Sequence, residues 1–333
     1  MADKIKICMN WAAACGGCDV SLLDIEEKLL DVVEIADVVY WPVAMDFKRD
    51  DLEAMEPDSI DIGLFNGSVR TTEQAEDAVL LRKRCKVLIA YGVCATHGGI
   101  PGLANVSDKQ GVFDVAYQDT ASTENPDGHR PEEKVTVGGM ELTLPGFHDS
   151  VYALDQVVDV DYYLPGCPPT PERILDAVGV IAAYAQGGDL PPKGATIADD
   201  KALCDTCPRR DSRVAKKVAT VTRPHLVVAD QDRCFLDQGI PCMGPVTAGG
   251  CGASCVNVNM PCRGCFGPAP TVRDMGAEAA TAFGSIFGPD GEDNIPAGKM
   301  KSAVNAIADP LGTFYRFTFP SAIAHRCVKE EKK

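Results

Sequence analysis

Long apolar runs are missing from this chain. No stretch reaches the roughly 18 consecutive apolar residues of a membrane-spanning helix, so no membrane span is expected. A basic surplus is missing too: Lys and Arg number 32 against 48 Asp and Glu, a net charge of −16. So acidic a chain is a poor general binder of phosphate backbones, which excludes nucleic acid as an expected partner. The opening residues, Met1 to Ile7, carry neither a basic leader with an apolar stretch nor a twin-arginine signal, which predicts a cytoplasmic protein. Histidine is scarce, and none of His97, His129, His148, His225 and His325 forms a ligand-spaced pair. No internal repeat of fixed period occurs. Disorder is excluded by a hydrophobic fraction of 45%, and 333 residues allow two domains or one large domain with a long extension.

Cysteine, by contrast, is abundant: there are 15. Disulfides are rare in a reducing compartment, so this number points to metal or redox chemistry.

The N-terminal part alternates between strand and helix patterns. Lys4 to Met9, Val38 to Val43, Ile60 to Phe65, Val87 to Tyr91 and Val157 to Leu164 read as strands. Ser21 to Glu34, Thr72 to Arg84 and Pro171 to Ala185 read as helices, the first capped by Ser21 or Asp19 and the last ended by Gly187 and Gly188. Such alternation predicts an α/β fold, a parallel sheet with helices on both faces. Residues 100 to 150 interrupt it with an insertion whose Val135 to Leu144 stretch forms a hairpin about Gly138 and Gly139. A boundary is expected near Leu190 to Lys193, dividing residues 1–190 from residues 191–333. Residues 200 to 270 are dense in Gly and Pro and hold eight of the cysteines. Such a segment is expected to build little apolar core and to be held by something inorganic. Beyond it, Arg273 to Phe283 is a short helix, and Leu311 to Phe319 reads as exposed.

Two neighbourhoods of thiols stand out. Cys15 and Cys18 follow the first strand, Cys94 follows the strand ending at Tyr91, and Cys167 follows the strand ending at Leu164. All four are therefore expected at the carboxyl edge of the sheet, where open α/β sheets bind their ligands. Four thiolates converging there suit one cubane cluster, and the neighbouring glycines let backbone N–H groups approach its sulfides. A thioredoxin-like Cys-x-x-Cys pair and a scatter of buried thiols are the alternatives for this set. The second neighbourhood divides into Cys204, Cys207, Cys234 and Cys242, then Cys251, Cys255, Cys262 and Cys265. These two quartets suit iron–sulfur clusters, and paired Cys-x-x-Cys spacing also suits structural zinc. Cys8, Cys85 and Cys327 are left over as small buried apolar residues. His97, near Cys94, reads as an ordinary loop histidine.

At these residues the chain resembles a known family. Cys15 and Cys18, then Gly92, Cys94, Ala95, Gly98 and Gly99, then Pro165, Gly166, Cys167, Pro168, Pro169, Pro171 and Glu172 are similar to the proximal-cluster motifs of nickel–iron hydrogenase small subunits. Cys242, Met243, Gly244, Pro245, Val246, Thr247 and Cys251, with Pro261, Cys262, Gly264 and Cys265, resemble that family's medial and distal segment. The likeness spans about residues 5 to 270, most closely the methyl-viologen-reducing type, which does not reduce the deazaflavin coenzyme. It implies a flavodoxin-like doubly wound domain followed by a loop-rich iron–sulfur domain. It also implies three 4Fe–4S clusters: proximal on Cys15, Cys18, Cys94 and Cys167, medial on Cys251, Cys255, Cys262 and Cys265, and distal on Cys204, Cys207, Cys234 and Cys242. Cys204 stands where exported relatives place a histidine, and Cys255 supplies a fourth medial thiolate. The implied role is electron conduction from a large subunit that holds the nickel–iron centre to a small iron–sulfur adaptor subunit and a heterodisulfide reductase-type bifurcating flavin complex. No residue of this chain is expected to act as general acid or base. Two rival readings remain open, a small subunit of a non-hydrogenase oxidoreductase and a zinc-stabilised scaffold.

Overall fold

The computed structural model describes residues 4–214, 217–218, 220–286 and 297–325. Nine strands occur among them: β1 (Ile5–Trp11), β2 (Ala36–Tyr40), β3 (Ile60–Asn66), β4 (Val69–Thr71), β5 (Cys85–Tyr91), β6 (Lys134–Val137), β7 (Met140–Thr143), β8 (Phe147–Tyr152) and β9 (Tyr162–Leu164). Five make one parallel sheet in the order β2-β1-β3-β5-β9. Counting only those five, the order is second-first-third-fourth-fifth, that of the flavodoxin-like doubly wound fold. β3 and β5 lie at its centre and are buried along most of their length, which is why they read as near-continuous apolar runs.

Helices cover both faces. Helix Thr72–Arg84 packs Ala78 and Leu81 against Ile60, Phe65 and Leu88. The opposite face holds Ile62, Val87, Ile89 and Tyr91 against Ile174 and Ala177 of helix Pro171–Ala185. Helix Thr72–Arg84 starts where it does because Thr71 and Gln74 cap each other. The Gln74 N–H donates to Thr71 Oγ1 at 3.3 Å, and the Thr71 N–H donates to Gln74 Oε1 at 3.1 Å. Its last turn carries Arg82, Lys83 and Arg84, the favourable sign for a helix C-terminus.

Several elements differ from the sequence expectation. The single helix expected over Ser21 to Glu34 is two, Gly17–Leu23 and Lys28–Ile35, with Glu26 between them in the left-handed region at φ 54°. Neither Ser21 nor Asp19 is a cap. The Ser21 hydroxyl instead donates to the Cys18 carbonyl at 2.7 Å and bonds to the Tyr91 hydroxyl at 2.9 Å. The strand expected from Val157 shrinks to Tyr162–Leu164, and the one expected over Val38 to Val43 lies at Ala36–Tyr40. The hairpin is present, its Gly138 and Gly139 both at positive φ as a two-residue primed turn requires.

The second half differs most. Leu203, Phe235, Leu236, Ile240, Met243, Val246 and Val256 close an apolar core with Met275, Phe283 and Phe314. The cysteine-rich segment therefore has a core after all, because the chain beyond residue 270 comes back to complete it. The stretch expected to be exposed is the part that does so: Phe314 and Phe317 are buried. No helix among the described residues is long and apolar enough to cross a membrane.

Candidate metal centres

The sheet register sets the first group of thiols. Trp11 pairs with Asn66, Asn66 with Tyr91, and Tyr91 with Leu164, so β1, β3, β5 and β9 all end level. The loops that leave those ends carry Cys15 and Cys18, Cys94, and Cys167. Two backbone bonds tie the last two loops together: the Gly92 N–H donates to the Leu164 carbonyl at 2.7 Å and the Val93 N–H to the Gly166 carbonyl at 2.8 Å. Gly92 sits at φ 81°, and a Cβ there would lie 2.3 Å from Cys18 Sγ. Only glycine lets the β5 loop come this close to the thiol.

These four thiols feel one another. Burial pushes the Cys18 thiol far above its ordinary value, and the negative charges of Cys94, Cys167, Cys15 and Asp19 push it further. Cys94 is pushed up to about 12 by burial, then by Cys167 and Cys15, while the backbone N–H of Ile100 works against the shift. Left to themselves Cys18 and Cys94 stay protonated at neutral pH. Four thiolates here need an inorganic cation to offset desolvation and mutual repulsion. The Gly17 N–H also donates to Cys15 Sγ at 3.4 Å.

Cys204, Cys207, Cys234 and Cys242 form a second group. Cys204 is pushed up to about 12 by burial, then by Cys242, Cys207 and Cys234. A Cβ on Gly244 would stand 3.0 Å from Cys204 Sγ and 3.7 Å from Cys242 Sγ. Backbone N–H groups of Gly244 and Cys262 face Cys242, and those of Leu236 and Asp237 face Cys234.

The third group is Cys251, Cys255 and Cys265. Cys265 is pushed up to about 12 by burial, then by Cys251, Cys255 and Cys167, while the backbone N–H of Cys167 works against the shift. Cys262 is buried, within reach of both the second and third groups. Burial raises its thiol, and Cys242 acts on it ahead of Cys265. Its Sγ also lies 3.6 Å from Thr247 Oγ1.

Residues 15–181 match the family described as NADH ubiquinone oxidoreductase, 20 Kd subunit. Over its length the chain is similar to the iron-sulfur subunit of the F420-non-reducing hydrogenase of Archaeoglobus profundus, 40% identical over 97% of this chain and 98% of the relative. It is 36% identical to the corresponding F420-non-reducing hydrogenase subunit of Methanothermobacter marburgensis, across 100% of both chains. The chain belongs to the small-subunit family of F420-non-reducing hydrogenases. It is thus a member of an oxidoreductase complex. A NiFeSe hydrogenase structure from Desulfovibrio vulgaris Hildenborough shares the fold, with a TM-score of 0.54 at 17% identity over 81% of this chain and 95% of that one.

Around the thiols of this hydrogenase small subunit, other residues depart from or extend the sequence expectation. Cys8 and Cys85 are buried as expected, and their sulfurs stand 3.5 Å apart where Gly63 leaves room on β3. Cys327 lies outside the described residues. His97 is not an idle loop residue: its ring sits where a Cβ on Gly267 would come within 2.7 Å, and Nδ1 bonds to Thr96 Oγ1 at 2.7 Å. It thereby wedges the Cys94 helix against the cysteine-rich segment, and burial pushes its pKa down to about 4. Asp19, expected only as a cap, is a buried carboxylate held by the Trp41 indole N–H at 3.0 Å and by the Asn66 amide. Pro320 carries no sequence expectation at all. Its ring lies 2.3 Å from where a Cβ on Gly98 or Gly102 would be, and its carbonyl accepts from Gln156 Nε2 at 2.8 Å. A Gly-Gly pair beside a cysteine and a proline in an aromatic tail are the available signals, and they stand too far apart in sequence to be paired by inspection.

Proposed function

We propose that this hydrogenase subunit conducts electrons through three 4Fe–4S clusters. They would be held by Cys15, Cys18, Cys94 and Cys167, by Cys251, Cys255, Cys262 and Cys265, and by Cys204, Cys207, Cys234 and Cys242. The observation that carries the reading is continuity. Cys167 of the first group is within electrostatic reach of Cys265 of the third, and Cys262 is within reach of Cys242 of the second. One line of thiols therefore runs from the sheet edge into the C-terminal half.

The donor set fits the clusters. It is all thiol, with backbone N–H groups aimed at the sulfurs, the pattern that stabilises anionic iron–sulfur centres. Among the described residues, no three His, Cys, Asp or Glu side chains stand close enough to grip a single metal ion. Bound clusters would supply one-electron transfer. The chain's own residues hold them, exclude water from Cys18 and Cys262, and set the local charge.

In this reading the subunit works in the cytoplasm. Its first group faces a nickel–iron large subunit, whose oxidation of hydrogen supplies the electrons. Its second group faces a small iron–sulfur adaptor subunit leading to a heterodisulfide reductase-type bifurcating flavin complex. Residues 1–190 and 191–333 are its two domains. Metal analysis of the natively purified complex tests the proposal: about twelve irons and as much acid-labile sulfide per chain are expected. Zinc in their place refutes it.

A further inference from the structure

Beside the Cys262–Cys265 turn, one cavity gathers positive charge in excess of its single carboxylate. It has a volume of about 270 Å³, and its wall includes Arg223, His225, Met260, Arg263, Asp309 and Arg316. In a chain with a net charge of −16, three guanidinium groups in one hollow are conspicuous. They line one hollow, and Arg263 among them is half-buried.

Two other arginines of this segment have partners. Arg209 donates to the carbonyls of Asp230 and Arg233 and to Asn259, and Arg210 stands 3.6 Å from Asp205. The three in the cavity make no ion pair with a carboxylate among the described residues. Arg316 spends only its Nε, on the Gly312 carbonyl at 2.8 Å. Asp309, the acid in the wall, caps helix Pro310–Phe314 through its Oδ1, which accepts the Gly312 N–H at 2.8 Å, and its single charge is outnumbered by the three guanidinium groups.

Holding like charges together in a concave, partly dry site costs energy unless an anion offsets it. Guanidinium forks match the oxygens of phosphate closely, and three forks match a doubly charged phosphoryl group with three terminal oxygens better than a carboxylate with two. The apolar part of the wall, including Met260 and Ile307, suits an organic body behind that group. The volume is at the small end for ligand sites, room for a compact molecule and not for a dinucleotide. We propose that this cavity binds a small phosphate monoester, its phosphoryl group held by Arg223, Arg263 and Arg316.

The test is calorimetric titration of the native complex with sn-glycerol 3-phosphate, with citrate as the carboxylate comparison. Expected are one saturable site per subunit, affinity weakened at least tenfold in Arg223→Met and in Arg316→Met, and no change in Arg273→Met. Arg223 is exposed, so its removal leaves the core intact, and Arg223→Lys, which keeps the charge but loses the fork, should fall between. Citrate binding as tightly as the phosphate overturns the assignment, as does a titration that fails to saturate or is unaltered in both cavity variants. Binding is read without turnover, so the result is independent of whether the thiols conduct electrons.

Discussion

The backbone N–H of Cys167 faces the sulfur of Cys265. One residue thus belongs to the first group by its thiol and borders the third by its amide. Cys265→Ala should remove about four of twelve irons. Hydrogen–deuterium exchange at the large subunit should persist, because it needs no electron to leave, while electron delivery to the acceptor should collapse. Loss of both activities together would count against the relay.

Gly92→Ala tests how tightly the β5 loop is fitted. The new methyl would lie 2.3 Å from Cys18 Sγ on a backbone at φ 81°. Overpacking and left-handed strain each cost about 1–3 kcal/mol. The variant should unfold at lower denaturant concentration and lack the first centre's iron. Full iron loading would show that the loop has slack.

Cys255 is exposed near the start of the short helix Ser254–Asn257, a position where proline is tolerated. Cys255→Pro should keep the fold and convert the third centre to a 3Fe–4S form, visible as a new signal in electron paramagnetic resonance of the oxidised protein. An unchanged spectrum would remove Cys255 from the ligand set.

Asp161 controls an acid-dependent part of stability. Burial pushes its carboxyl up, but hydrogen bonds from Lys193 and Arg82, each at 2.6 Å, and from the Leu88 N–H outweigh it and hold the group below the ordinary range. A depressed carboxyl stabilises the fold above the unfolded value of about 3.9, and that gain is lost as pH falls through the lower folded value. Asp161→Asn should therefore lower stability at neutral pH and flatten the decline on acidification. Urea denaturation curves from pH 7 to below 4 would show it.

Trp11, Val20 and Leu23 border the Cys15 loop and are 46%, 59% and 54% exposed. Large apolar residues clustered by a functional edge mark a surface built to be covered. Expressed alone, the chain should self-associate, and co-expression with the large subunit should restore a homogeneous complex. A monodisperse, iron-loaded monomer on size-exclusion chromatography would refute this.

Much of the first half is legible in the sequence because strand ends and helix starts are written locally. Apolar runs mark β3 and β5, Thr71 with Gln74 marks a helix start, and the thiols follow strand ends directly. The break near Glu26 is not legible, since no glycine or proline announces it and the apolar spacing of Leu22, Ile25 and Leu29 continues across it. The second core escapes for a different reason. Phe235 and Met243 find their partners Phe283 and Phe314 far along the chain, so no local window holds both sides of the contact. His97 against Gly267 and Gly98 against Pro320 are likewise visible only once the chain has closed on itself.

The Pro320 ring against Gly98 and Gly102 also sets an order of events during synthesis. About 220 residues separate Gly98 from Pro320, roughly 10–45 s of ribosomal elongation. Throughout that interval the Cys94 loop lacks its outer wall, including the bond from the Gly99 N–H to the Phe317 carbonyl at 3.1 Å. The segment around Phe317 and Pro320 is therefore the latch. The Cys94 loop is most accessible on a nascent or newly released chain, before Phe317 and Pro320 have docked.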